Sequence, residues 1–122
     1  MLIALHHVQL AMPAGAEAQA IAFYTDVLGM TQVQKPQALA GRGGVWFEAG
    51  SIRLHLGVET PFTAARKAHP AFQVKNLDAV TEQLKSAGLE TKTDQDLPSI
   101  RRIYIHDPFG NRIELLELMS GG

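Results

Sequence analysis

Four side chains that can ligate a metal ion recur at matching places in the two halves of this 122-residue chain. His7 in LHHVQLAM and His69 in AHPAFQV are 62 residues apart, while His55 in IRLHLG and Glu114 in RIELLE are 59 residues apart. Imidazole and carboxylate groups suit divalent ions such as Fe(II), Mn, Co, Ni and Zn. The spacing therefore raises the hypothesis of one metal site built from two matching pairs of donors.

The pattern around these residues predicts two modules with the same order of elements. Each half contains a strand, an amphipathic helix that stops at a glycine, and two or three further strands. The glycine stops are Gly29 and Gly88. We expect an α+β fold in which a single domain over 1–122 contains internal modules at about 1–58 and 67–119.

Strand alternation places each of the four candidate ligands on the face of its strand that is opposite the aliphatic face. Successive strand residues point to opposite sides, so each predicted strand has an aliphatic face for helix packing and a second face that carries His7, His55, His69 or Glu114. Turns are expected at residues 48–50 and 107–110. A single histidine or glutamate of this kind is more often a packed or solvated residue than a ligand, but its recurrence at equivalent positions favours a shared site.

Composition excludes several classes of protein and site. There is no cysteine, which excludes disulfide frameworks, thiolate metal sites and cysteine nucleophiles. The net charge is −1 without a cluster of basic residues, which argues against a nucleic-acid partner. No apolar run reaches the ~20 residues of a membrane span, and no secretory signal is recognised. We expect a cytoplasmic protein that acts on a small molecule, with no nucleic-acid or membrane partner.

Nearly the whole chain resembles one protein family. Five segments carry the resemblance: LHHVQLAM, AIAFYTDVLGM, IRLHLG, AHPAFQVKNLDAV and YIHDPFGNRIELLE. They are similar to the vicinal oxygen chelate superfamily, which includes glyoxalase, bleomycin resistance proteins and extradiol dioxygenases. The resemblance implies two paired β-α-β-β-β modules that form a cup-shaped, mostly antiparallel half-barrel sheet with helices on the outside. It also implies one divalent metal ion per cup, held by His7, His55, His69 and Glu114, with His55 as a ligand or as a residue behind the ligands. Such a cup can close within one chain or between two, so we expect a homodimer.

The resemblance leaves the reaction open. We expect a glyoxalase-like lyase or isomerase whose substrate chelates the metal through two neighbouring oxygens, with Glu114 as ligand and catalytic base. His55, however, stands where bacterial glyoxalase I has a carboxylate. His7, His69 and Glu114 also match the ligand triad of Fe(II)-dependent extradiol dioxygenases. A non-catalytic protein that sequesters a small molecule, as in bleomycin resistance, is the third alternative.

Six further residues are candidates for contact with the substrate: Gln9, Trp46, Arg53, Gln73, Arg102 and Tyr104. Gln9 and Gln73 flank proposed ligands, Arg53 shares the face of His55, and Arg102 and Tyr104 share one face at the expected mouth of the cup. Trp46 offers a ring for stacking, although core packing is an equal alternative.

Overall fold

The computed structural model describes residues 1–119 and contains two compact units, one over Met1–Ala64 and one that begins at Ala65. Each unit is a four-stranded mixed sheet with helical segments, so the α+β prediction is confirmed. The organisation of the chain as a single domain stays a prediction.

The first unit contains four strands and three helical segments: β1 (Val8–Met12), α1 (Glu17–Ile21) continued by a π-helical turn (Ala22–Val27), β2 (Thr31–Val33), a 3₁₀ helix (Gln37–Arg42), β3 (Val45–Ala49) and β4 (Ile52–Val58). The second unit repeats this order without the 3₁₀ helix: β5 (Ala71–Gln73), α2 (Leu77–Ser86), β6 (Lys92–Thr93), β7 (Ile100–His106) and β8 (Arg112–Leu118).

The two sheets have the same topology. The strand order is β1-β4-β3-β2 in one unit and β5-β8-β7-β6 in the other. In both, the first strand pairs parallel with the last, and the remaining pairs are antiparallel. The prediction of mostly antiparallel sheets is therefore correct, and neither sheet closes on itself.

Each helix ends where the sequence predicts. Gly29 follows the π-helical turn that continues α1, and Gly88 follows α2. Both have positive φ, which glycine adopts without a Cβ penalty. Asn76 caps α2, since its side-chain oxygen accepts a hydrogen bond from the Ala79 N–H at 3.0 Å.

Apolar side chains from one face of each sheet form the core with the helices. The largest fully buried ones in the first unit are Tyr24, Phe47, Met12, Leu54 and Leu56, and those in the second are Leu77, Leu84, Ile105 and Ile113. This burial leaves the other face of each sheet to the polar residues. Within residues 1–119, no helix is long and apolar enough to cross a membrane.

The first strand of each unit is shorter than predicted. β1 begins at Val8 and β5 at Ala71, so His7 and His69 lie just before the strands rather than within them. The segment between α1 and β3 contains β2 and the 3₁₀ helix, and the segment between α2 and β7 contains short β6.

The turn between β3 and β4 also differs from the prediction. Ala49 pairs with Ile52, so the turn is at Gly50 and Ser51 instead of residues 48–50. A turn at 48–50 would have aligned Trp46 with Ile52 on the aliphatic face. The observed register instead aligns Trp46 with His55, three residues further along β4. A shift by an odd number of residues moves a side chain to the other face.

The turn between β7 and β8 is held by one buried carboxylate. Asp107 Oδ1 accepts hydrogen bonds from the backbone N–H groups of Phe109 and Asn111 at 2.9 and 2.8 Å, and Oδ2 accepts one from Asn111 Nδ2 at 2.9 Å. The turn thereby fixes the register that aligns Tyr104 with Glu114.

We expect Asp107→Ala to lower the free energy of unfolding by about 2–4 kcal/mol, because it leaves buried donors unsatisfied. Urea unfolding measures this change. The matched variant Asp78→Ala removes an exposed carboxylate that pairs with Arg101 and should barely move the unfolding midpoint. Equal losses in the two variants would contradict this account of the turn.

Candidate functional site

In the first unit, His7 and His55 lie face to face. Their ring centroids are 4.3 Å apart with an interplanar angle of 20°. His55 is buried in β4, whereas His7 is exposed and its Nδ1 is 2.9 Å from Nδ1 of His6. Two of the predicted ligands are therefore neighbours, although one of them precedes the strand.

The environment of His55 favours its neutral form. Burial is the main cause that lowers the pKa of His55, and its electrostatic interactions with His7, His6 and Lys35 lower it further. Glu48 opposes these effects. A neutral imidazole has a nitrogen lone pair, which is the form that binds a metal ion.

His55 is the centre of a row of side chains across the first sheet. Gln9 of β1 and Trp46 of β3 are its register partners on either side. The Trp46 ring is parallel to the His55 ring, with centroids 3.8 Å apart. Trp46 is half-buried and Gln9 exposed, so the row borders solvent.

Two other residues complete the description of this face. Gly57 leaves the space that Gln9 occupies, since a Cβ at Gly57 would lie 2.6 Å from Gln9 Nε2. Arg53 shares the face of His55 on β4 and is exposed opposite Glu48.

In the second unit, His69 and Glu114 form a pair. His69 Nε2 is 3.0 Å from Glu114 Oε1, and His69 Nδ1 donates a hydrogen bond to the Lys67 carbonyl oxygen at 2.8 Å. The Lys67 contact fixes the ring orientation and points Nε2 at the carboxylate. Glu114 is only 7 % exposed, so its charge is held largely out of water.

Arg102 and Tyr104 of β7 surround this pair. Arg102 Nη1 donates a hydrogen bond to the Tyr104 hydroxyl at 3.3 Å and is 3.8 Å from Glu114 Oε1. The Arg112 guanidinium lies over the Tyr104 ring, 3.8 Å from its centroid, and the His69 ring meets that ring edge-on. The predicted residues Arg102 and Tyr104 thus lie beside a predicted ligand.

Arg102 is held in place from outside the sheet by the segment that precedes β7. Its Nε donates to the Gln95 carbonyl oxygen at 3.2 Å, and its Nη2 is 3.5 Å from Asp94 Oδ2. Sequence reasoning missed Asp94, which lies in a polar loop without a distinguishing pattern. Gln73 is exposed on β5 opposite Leu116.

The described residues 1–119 contain no group of three or more histidine, aspartate or glutamate side chains placed to hold a metal ion. What they contain is two pairs, one in each unit. The roles of the predicted ligands and substrate-binding residues therefore stay predictions.

Comparison with known proteins gives a consistent result. The family model described as the Glyoxalase/Bleomycin resistance protein/Dioxygenase superfamily matches residues 4–115. A glyoxalase family protein from Bacillus anthracis is 43 % identical, with a TM-score of 0.94 and 97 % of each chain covered. No match was found among curated proteins.

More distant solved structures share the fold. The fosfomycin resistance protein FosX from Listeria monocytogenes is 19 % identical, with a TM-score of 0.76 and coverage of 98 % of this chain and 97 % of that chain. A FosX variant crystallised with Mn(II) and 1S,2S-dihydroxypropylphosphonic acid is 21 % identical, with a TM-score of 0.72 and coverage of 94 % and 90 %.

In metal-free protein, we expect the free energy of unfolding to fall as the pH is lowered below about 6.5. The pKa of His55 is lowered in the folded state, so the unfolded chain takes up the proton first and is stabilised by it. The loss begins near the unfolded pKa and is complete below the folded one. Urea unfolding between pH 8 and pH 5 measures this slope.

His55→Gln should remove that part of the slope, whereas His106→Gln, which replaces an exposed histidine outside the ring stack, should keep the wild-type slope. A slope that is the same in the wild type and in His55→Gln would contradict the prediction.

Proposed function

We propose a function from one premise: the chain belongs to the glyoxalase/bleomycin resistance protein/dioxygenase superfamily. Within that family, we propose that it is a metal-dependent enzyme of the lyase or isomerase type. Its substrate is a small molecule with two neighbouring oxygen atoms. A homodimer is part of the proposal.

One observation carries this proposal: the two donor pairs occupy equivalent points of the same strand topology. In the first unit, His7 lies two residues before Gln9, the register partner of His55. In the second, His69 lies two residues before Ala71, the register partner of Glu114. Because the last strand runs parallel to the first in each unit, both pairs are built in the same way.

The chemistry of the donors fits a divalent ion. Three imidazoles and one carboxylate are ligands that Fe(II), Mn, Co, Ni and Zn accept, and the environment of His55 favours the neutral form that metal binding requires. We propose His7, His55, His69 and Glu114 as the ligands, and the proposal needs both pairs because each supplies only two donors. A bound ion would act as a Lewis acid on the substrate oxygens.

The protein's own residues supply the rest of the chemistry. We propose that Glu114 acts as a general base and accepts a proton from the substrate. This role requires its carboxylate to lie within hydrogen-bond reach of that proton. Arg102 compensates its charge from 3.8 Å and donates to the Tyr104 hydroxyl. Tyr104 and Arg102, together with Gln9, Trp46, Arg53 and Gln73, are the proposed contacts of the substrate.

The FosX variant crystallised with Mn(II) and a dihydroxy phosphonic acid supports this proposal in general terms. It is a protein of the same fold in a complex with a divalent ion and a small acid that carries neighbouring oxygens.

Metal analysis tests the proposal most directly. Protein purified without chelator should contain about one equivalent of divalent ion per cup, and turnover of hemithioacetals formed from a 2-oxoaldehyde and a thiol should be lost on chelation and restored by added metal. A protein that neither contains nor binds Mn, Ni, Co, Zn or Fe(II) would overturn it.

The alternatives give different outcomes in the same experiment. Oxygen uptake with catechols after anaerobic Fe(II) loading would replace the lyase or isomerase assignment by a dioxygenase. Tight binding of a small molecule without turnover or metal would indicate a sequestering protein.

Glu114→Gln should weaken metal binding at least tenfold and lower turnover by about 10²–10⁴-fold, because it removes both a charged ligand and the proposed base. Glu117→Gln is the matched control on the same strand. Glu117 Oε1 accepts a hydrogen bond from the Leu77 N–H, which glutamine can also accept, so metal binding and turnover should be unchanged. Equal effects of the two variants would count against the proposed role of Glu114.

Arg102→Gln and Arg101→Gln form a second matched pair, because these neighbours lie on opposite faces of β7. Arg102 contacts Glu114 and Tyr104, whereas Arg101 pairs with exposed Asp78. We expect Arg102→Gln to weaken metal binding or turnover by about 10–100-fold, which is the usual effect of removing a residue that contacts a metal ligand. Arg101→Gln should change neither quantity. Isothermal titration with Mn(II) and steady-state kinetics measure the two quantities.

A further inference from the structure

A cavity of about 180 Å³ lies beside the row formed by Gln9, His55 and Trp46. At ~30 Å³ per water molecule this is room for about six waters, enough for an acidic head group with a few carbon atoms. The cavity lies entirely in the first unit. Its lining includes Gln9, Lys35, Leu39, Arg42, Trp46 and Gly57.

The charge of the cavity is of one sign. Lys35 and Arg42 are cationic, and none of the described residues that line the cavity is acidic. Lys35 is half-buried and Arg42 is exposed, so one cation lies within the wall and the other borders solvent. Gln9 adds a carboxamide and Trp46 an apolar ring. Such a set of side chains is suited to a small organic anion.

The segment of residues 34–44, which carries both cations, is tied to α1 and to itself by hydrogen bonds, and its end approaches β4 closely. Gly44 N donates a hydrogen bond to Glu17 Oε2 at 2.8 Å, and Lys35 Nζ donates one to the Gly43 carbonyl oxygen. Gly44 has a φ of +86°, and a Cβ there would lie 2.3 Å from the Leu56 carbonyl oxygen. The wall of the cavity is therefore fixed before any ligand arrives, which reduces the entropic cost of binding.

The cavity is connected to the candidate metal ligand His55. Trp46 lines the cavity and also stacks on the His55 ring.

We propose that this cavity binds the anionic head group, a carboxylate or a phosphonate, of a small organic acid. Lys35 and Arg42 pair with the oxygens, the Gln9 amide donates a further hydrogen bond, and Trp46 packs against the carbon chain. That this acid is the substrate rests on the proposed function, whereas the binding of an anion here does not.

The protein's single tryptophan is Trp46, so intrinsic fluorescence reports directly on this cavity. We would titrate chelator-treated protein at constant ionic strength with three probes of equal chain length: propanoate, propylphosphonate and 1-propanol. We expect a saturable change in fluorescence with at least one anion and none with 1-propanol. The two anions distinguish a carboxylate site from a phosphonate site.

Lys35→Gln and Arg42→Gln should each weaken anion binding about tenfold or more, the effect of one lost charge-assisted contact. Arg66→Gln removes the same charge from an exposed segment and should leave binding unchanged. If Lys35→Gln disturbs the loop, Arg42→Gln decides the question, because its side chain is exposed and removing it exposes no buried group.

An absent or non-saturable response to both anions, a response to 1-propanol equal to theirs, or the same loss in Arg66→Gln would overturn the proposal. The titration is carried out without metal, so its outcome is separate from the metal analysis. A saturable response in a protein that binds no divalent ion would sustain the anion site and reject the proposed enzyme. Metal binding without an anion response would reject the anion site and leave the proposed enzyme standing.

Discussion

The parallel pairing of the first and last strands is the constraint on which the rest of each unit depends. It aligns Gln9 with His55 in one sheet and Ala71 with Glu114 in the other. The residue just before the first strand is thereby brought beside the middle of the last strand, which is a central and buried strand. His55 and Glu114, which lie within that last strand, are shielded from water and held by the backbone ladder, as a preorganised site requires.

The two pairs that this topology builds differ in their electrostatics. His7 and His55 stack as two rings, and the burial of His55, with smaller electrostatic effects from its neighbours, favours the neutral form of His55. Glu114 instead is an acid in contact with His69 and near a guanidinium. The histidine pair therefore offers nitrogen lone pairs, whereas the second pair offers a carboxylate whose negative charge is balanced by nearby groups. In the proposed metal site, three neutral imidazoles, one carboxylate and an ion of charge +2 would carry a net charge of +1, which would favour an anionic substrate.

The helix ends and the fold class could be predicted from the sequence, because they follow from local sequence patterns and from the repetition of the two halves. Helix ends at Gly29 and Gly88 follow from local backbone preferences, and the α+β class from the repeated order of strands and helices. The face of Trp46 could not be predicted, because it depends on whether the hairpin turns at residues 48–50 or at 50–51. Lys35 was missed for a related reason: in a polar loop, nothing in the sequence indicates which cation folds back against the sheet.

The close approach of Gly44 to the Leu56 carbonyl oxygen has a consequence for how such a protein can diversify. A side chain at this position would collide with the backbone of β4, so Gly44 does not tolerate substitution. The loop ahead of it meets no such restriction at its exposed positions. Substitutions at exposed positions of residues 34–42, such as Arg42, can therefore alter the charge and size of the cavity without displacing His55. The proposed anion site can thus change independently of the proposed metal ligands.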